Sequence, residues 1–149
     1  MDIKSLFKIA IDQEIEACEF YKKASEKVSN PGVKDIFMQL SADEAGHAET
    51  LRKYEQDSSL VGKFVSPEVD YAIADSNNSP ELSITMKPAD AIMLAAKKEQ
   101  DASEFYTALS KKATDKEIVA MLQSLAAMEL GHKQKLENAF VQVGYPESF

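Results

Sequence analysis

Glu44-Ala45-Gly46-His47 and Glu129-Leu130-Gly131-His132 lie 85 residues apart and hold the only two histidines of the chain. The same offset joins Glu14 to Glu99, Ala17 to Ala102, Phe20 to Phe105, Tyr21 to Tyr106, Leu40 to Leu125 and Leu51 to Leu136. Shared spacing of this kind reads as one helical hairpin written twice. Each copy carries Glu-x-x-His in its second helix, and residues three apart on a helix share a face.

Outward from these stretches, apolar residues recur at alternating threes and fours, the seam of a bundle helix. The first seam is Phe7, Ala10, Glu14, Ala17, Tyr21, Ala24 and Val28, within a helix predicted over 4–29. Ser5 is its expected N-cap, and Asn30-Pro31-Gly32 its stop. The second, over 33–57, runs Val33, Ile36, Phe37, Leu40, Glu44, His47, Leu51 and Tyr54. The third, over 88–113, opens on Pro88 and runs Ile92, Ala95, Glu99, Ala102, Tyr106, Leu109 and Ala113. The fourth, over 115–142, runs Ile118, Leu122, Leu125, Glu129, His132, Leu136, Ala139 and Val143. Thr114 with Glu117 suggests a capping box at its start, and Gly144-Tyr145-Pro146 a stop at its end. The expected fold is all-α: an antiparallel four-helix bundle in one domain, with hairpins over about 4–57 and 88–142. Residues 58–87 keep no helical period and read as a long crossover, with one short helical turn expected near Val69–Ala74. A helix of about 25 residues at ~1.5 Å rise is ~38 Å long, a span that thirty residues cover easily.

The four seam glutamates fall at one depth. Glu14 precedes Pro31 by about as many residues as Glu44 follows it, and Glu99 and Glu129 flank Thr114 symmetrically. Four carboxylates at one level of an apolar core cannot all stay ionised and unpaired. Two divalent cations would cancel their charge. Two glutamates can bridge, two can cap, and one histidine can complete each metal. A Glu from each of two helices with Glu-x-x-His from the other two is the ligand pattern of ferritin-like di-iron and di-manganese bundles. Carboxylate with imidazole suits iron or manganese. One Glu-x-x-His alone says little; the conjunction of six residues with one internal offset carries the argument.

Other residues carry less. Tyr21 and Tyr106 sit on the same stripes as Glu14 and Glu99, and a core phenol needs a partner that a bound carboxylate would supply. Gly46 and Gly131 each cost about 1 kcal/mol in a helix interior. They read either as points of close backbone approach, or a path toward the metal, or as tight helix packing. Cys18 reads as a small helix-face residue, and the lysine pairs 22–23, 97–98 and 111–112 as solvated faces.

Composition narrows the function classes. The net charge of −8 opposes nucleic acid or an anionic membrane as partner. One cysteine leaves no intrachain disulfide and no four-cysteine metal module in these 149 residues. The N-terminus reaches Asp and Glu too soon for a signal peptide, and no run of eighteen apolar residues occurs. The expectation is a soluble cytoplasmic protein.

At Glu14-x-x-Ala17-x-x-Phe20-Tyr21, Glu99-x-x-Ala102-x-x-Phe105-Tyr106 and the two Glu-x-x-His runs, the chain resembles the rubrerythrin branch of the ferritin-like superfamily. The resemblance covers both hairpins. It implies a carboxylate-bridged di-iron centre held by Glu14, Glu44, His47, Glu99, Glu129 and His132, with manganese or zinc as substitutes for the two irons. It further implies reduction of hydrogen peroxide or oxygen with external electrons, a cytoplasmic location and often a homodimer. Two departures matter. Full-length rubrerythrins carry a rubredoxin-like four-cysteine iron domain; here the electrons must come from another protein. They also carry an extra glutamate one turn beyond the third-helix ligand, where this chain has Ala102. That substitution sets a ferroxidase role in iron storage or delivery beside the peroxidase one. A metal-free interaction bundle is the rival from another class, and metal analysis separates it from both.

Overall fold

The computed structural model describes residues 2–66 and 80–143, with side chains through Val141. Four long helices run α1 (Ile3–Lys27), α2 (Pro31–Glu55), α3 (Pro88–Ser110) and α4 (Lys116–Val143). They form an antiparallel four-helix bundle of two hairpins, α1–α2 and α3–α4, as the repeat requires. Among the described residues there is no strand, only an isolated bridge between Phe64 and Ala113.

The helix starts differ in detail from expectation. Asp2, not Ser5, caps α1, its Oδ1 accepting from the Ser5 amide at 2.7 Å. Asn30 belongs to the beginning of α2 rather than only to the end of α1. Its Oδ1 accepts from the Gly32 and Val33 amides, with Pro31 at the first helical position, where the missing N–H costs nothing. At α4 the Asp115 carboxylate accepts from the Ile118 amide at 3.1 Å. The Thr114–Glu117 capping box does not form: the Thr114 amide goes to the Lys63 carbonyl, and Glu117 accepts from the Tyr54 hydroxyl. At α1 and α4 an aspartate near the expected cap, Asp2 or Asp115, accepts from the free amide instead.

Two apolar clusters close the bundle at its two ends. One gathers Leu6, Phe7, Leu51, Leu109, Ile118 and Leu122, with Leu60 and Phe64 from the crossover; Phe64 meets Phe7 edge-to-face at 6.2 Å. The other gathers Ala24, Val33, Phe37, Leu40, Ile92 and Leu136, with Leu82 and Ile84 packed on it. The crossover therefore leaves one end of the bundle and arrives at the other, as its length allows. The short turn expected at Val69–Ala74 and the Gly144-Tyr145-Pro146 stop lie outside the described residues. Each fully buried Leu or Phe contributes about 1.5–3 kcal/mol. The two clusters bracket a layer that contributes nothing of the kind: the six residues Glu14, Glu44, His47, Glu99, Glu129 and His132, all at most 5% exposed.

No helix among the described residues is long and apolar enough to cross a membrane. Gly46 and Gly131 are exposed, and a Cβ built on either meets nothing within 4 Å. Neither close backbone approach nor tight packing within the chain accounts for them.

Candidate metal centre

The seam periodicity of the four helices brings the six residues together. Their ligand atoms form two overlapping quartets, Glu14–Glu44–His47–Glu129 and Glu44–Glu99–Glu129–His132, each with its atoms within 4.8 Å of one another. Glu44 and Glu129 belong to both quartets. Glu14 and Glu99 belong to one quartet each. Glu44 and Glu129 each share a helix face with one histidine and also reach the histidine of the opposite hairpin.

Both imidazoles turn Nδ1 inward. His47 Nδ1 lies 2.7 Å from Glu129 Oε1, 3.2 Å from Glu44 Oε1 and 3.6 Å from Glu14 Oε2. His132 Nδ1 lies 3.0 Å from Glu44 Oε1, 3.6 Å from Glu99 Oε2 and 3.7 Å from Glu129 Oε2. The rings stack nearly parallel, 5.7 Å between centres and 12° apart.

Tyr21 and Tyr106 cross between the hairpins. The Tyr21 hydroxyl donates to Glu99 Oε1 and the Tyr106 hydroxyl to Glu14 Oε1, each at 2.6 Å. Each phenol thus occupies one oxygen of a single-quartet glutamate and leaves the other facing inward. Burial, with the nearby carboxylates, pushes both phenols well above their ordinary range, so they remain donors.

The electrostatics of the layer show what it lacks. Glu14 Oε2, Glu44 Oε1, Glu99 Oε2, Glu129 Oε2 and His132 Nδ1 are buried, converge on one another and have no hydrogen-bond partner among the described residues. Unpartnered buried polar atoms are rare, because each forfeits its hydration. Burial, then the charges of Glu44 and Glu129, raise the Glu14 carboxyl well above its ordinary value. Burial and the Glu129 carboxylate raise Glu99 to about 8. For His47, burial alone would lower the pKa, but Glu129, Glu14 and Glu44 outweigh it and push it up to about 12; His132 is raised the same way. These shifts say that the layer without metal holds protons, in a place where cations would balance the same carboxylates. Six inward-facing oxygen and nitrogen donors, one from each residue of the two quartets, fit two divalent cations.

On the side of the layer that neither histidine reaches, α1 and α3 leave a cavity of about 30 Å³. The four glutamates, Ala10, Ala17, Ala102, Tyr21 and Tyr106 are among its lining residues. That is room for a molecule of about the size of water. Ala102, where rubrerythrins carry an extra carboxylate, is part of this wall. Lys98 and Glu16 also line it and pair at 2.8 Å, with the lysine only 11% exposed. Lys98 is thus not the solvated residue that its lysine-pair context suggested; the other five lysines of those pairs are exposed. Cys18 lies 3.4 Å from the Ser41 hydroxyl on the outer α1–α2 surface, away from the site.

The residue that sequence reasoning missed is Asp43. Its Oδ2 lies 3.0 Å from His132 Nε2, and its Oδ1 accepts from the Gln39 amide at 2.8 Å. An available signal was the repeat itself: Asp43 directly precedes one Glu-x-x-His, and Met128 directly precedes the other.

Comparison with known proteins bears on the fold and the family. No curated protein matches the chain. Two solved structures superpose with a TM-score of 0.73. A hypothetical protein from Pyrococcus furiosus is 29% identical, covering 96% of this chain and 90% of its own. A Thermotoga maritima protein, provisionally described as a ferritin-like diiron-carboxylate protein, is 20% identical, covering 96% and 97%. Residues 4–140 match the family model described as rubrerythrin, so this chain belongs to the rubrerythrin family.

Proposed function

We propose that Glu14, Glu44, His47, Glu99, Glu129 and His132 hold two iron ions. We propose further that the chain is an oxidoreductase that reduces hydrogen peroxide or oxygen with electrons from a separate donor protein. The supporting observation is the pair of overlapping quartets, whose shared glutamates and inward-facing bare oxygens match the donor set of two adjacent cations. Two ferrous ions together supply two electrons, the number that cleaves a peroxide O–O bond. The chain's own contribution is positional. Glu44 and Glu129, common to both quartets, would hold both ions, while Tyr21 and Tyr106 hold Glu99 and Glu14 by one oxygen each. The cavity, on the face away from the histidines, would take a small oxidant, and the Lys98–Glu16 pair is part of its lining.

One cysteine and the absence of a G-x-G-x-x-G dinucleotide fingerprint support an external electron source, so the isolated chain should not turn over with NADH. Cytoplasmic residence and pairing into a homodimer belong to the same proposal. Exposed Met128 and Leu130, beside exposed Gly131 on α4, offer apolar surface for a second copy. Sedimentation at micromolar concentration tests the dimer. The charge of −8 favours neither nucleic acid nor an anionic membrane.

Ala102 supports a second reading, ferrous oxidation for iron storage or delivery, since this position of the cavity wall carries a methyl group in place of the extra glutamate of rubrerythrins. Anaerobic iron loading followed by metal analysis and stopped-flow mixing decides among these. The expected result is about two irons per chain and faster oxidation by peroxide than by O2. Fewer than one tightly held metal per chain would remove the metal reading altogether. Equal rates with the two oxidants would favour the ferroxidase.

A further inference from the structure

The internal repeat makes the two halves of the centre look interchangeable, but the histidines do not have equivalent surroundings. His132 has carboxylates around Nδ1 without a hydrogen bond to any of them, and its Nε2 lies 3.0 Å from the Asp43 carboxylate, in hydrogen-bonding geometry. Asp43 is itself held, through Gln39 Nε2 on its other oxygen. His47 has carboxylates at Nδ1, while its Nε2 is buried and has no hydrogen-bond partner among the described residues. At the repeat offset, Gln39 corresponds to Ser124 and Asp43 to Met128, so the second half carries neither the amide nor the carboxylate.

The consequence follows from imidazole chemistry. A neutral histidine that gives its Nδ1 lone pair to a metal must carry its proton on Nε2. For His132 that N–H donates to Asp43, which fixes the tautomer, holds the ring plane and increases the basicity of Nδ1. For His47 the same tautomer buries an N–H with no acceptor, which costs the desolvation of that group.

We infer that Asp43 is a positioning residue that makes the two metal positions unequal. The position formed by Glu44, Glu99, Glu129 and His132 fills first and holds its ion more tightly, and the position of Glu14 and His47 is the exchangeable one. The inference rests on the metal reading above and goes beyond it in assigning an order. A one-metal form then accumulates at limiting metal.

The test is calorimetric titration of the metal-free full chain with Co(II), together with the ring ¹⁵N spectrum of its two histidines. Two classes of binding are expected, separated by about tenfold or more, the range typical of losing an outer hydrogen bond to a ligand. Glu99→Gln should abolish the tight class and Glu14→Gln the weak one; both replacements are isosteric, and melting of the metal-free variants verifies that they fold. Asp43→Ala should weaken the tight class by about 10–100-fold and leave the weak class within about threefold. In the metal-free variant, the ring signals of His132 should move and those of His47 should not. Asp43→Glu should recover part of the loss, which a merely structural role would not predict. Two equal sites in the wild type would overturn the inference while leaving the metal reading intact. So would an Asp43→Ala variant that weakens both classes equally, or removal of the tight class by Glu14→Gln. Absence of any binding would overturn both.

Discussion

The two hairpins of this bundle are alike where they face each other and unlike one layer further out. Inside, each supplies a tyrosine, a single-quartet glutamate, a shared glutamate and a histidine, and the contacts reciprocate: Tyr21 reaches Glu99 and Tyr106 reaches Glu14 at the same 2.6 Å. Outside, Asp43 stands against Met128. The position of Lys98, which pairs with Glu16 in the cavity wall, is taken in the first hairpin by Gln13. The difference teaches that the repeat is held to symmetry by the convergence of six donors on one small volume. Residues that touch that volume only through another side chain are free to diverge, and can give two nominally equal positions different strengths.

The strongest way to break the comparison is to remove a shared carboxylate. Glu44→Ala and Glu129→Ala should each disable both quartets, lowering metal affinity by more than about 100-fold, whereas loss of Glu14 or Glu99 disables one. For the wild type, saturation at 100 times the dissociation constant is worth about 2.7 kcal/mol of stability per site. The rise in melting temperature on adding Fe(II) or Mn(II) should therefore be large in the wild type and nearly absent in these two variants. A shared-site variant that keeps half of that rise would show that Glu44 and Glu129 are not shared.

Proton linkage comes next, and acts on both halves with one sign. Glu14, Glu99, His47 and His132 all bind protons more tightly folded than unfolded when no metal is bound. The carboxyls contribute stability that is complete below about pH 4.5 and, for Glu99, is lost as pH rises through about 8. The histidine contribution is complete below about 6.5 and declines toward about 12 for His47. Metal-free protein should thus melt at progressively lower temperature between pH 5 and pH 9, while the stabilisation given by added metal grows over the same interval. A metal-free melting temperature that climbs with pH would contradict the proton-holding layer.

A finer probe is the tyrosine pair. Tyr21→Phe and Tyr106→Phe each remove a hydrogen bond to a buried carboxylate, a loss of about 1.5–3 kcal/mol for a charged acceptor. The two should weaken metal binding through opposite positions, Tyr21 through Glu99 and Tyr106 through Glu14. Identical effects of both on the same binding step in a metal titration would show that the crossing contacts do not act through single glutamates.

The smallest expected effect comes from the glycines. Gly46→Ala and Gly131→Ala place a methyl group in open space within a helix. Each should stabilise the chain by about 0.5–1 kcal/mol, measured by denaturant unfolding. If Gly131→Ala is neutral or destabilising while Gly46→Ala stabilises, α4 carries a contact with another copy that α2 does not.

The sequence by itself determined the four helices, their pairing and the inward direction of the six donors. Heptad-like seams fix which face of each helix is buried, and Glu14, Glu44, Glu99 and Glu129 fall at one depth because helical rise converts residue counts into length. It also marked Tyr21 and Tyr106, since a phenol on a buried stripe must find an acceptor. Only the tertiary structure decided which glutamates are shared, because that depends on how the hairpins face each other across the bundle. The same holds for Asp43, which lies four residues before His47 on its own helix yet meets His132, 89 residues away on another. It holds for Lys98, half of a lysine pair that sequence assigns to solvent, whose side chain pairs with Glu16 in the lining of a cavity. Periodicity reports the face on which a residue lies, but the partner across that face is set by packing between hairpins, where no sequence spacing applies.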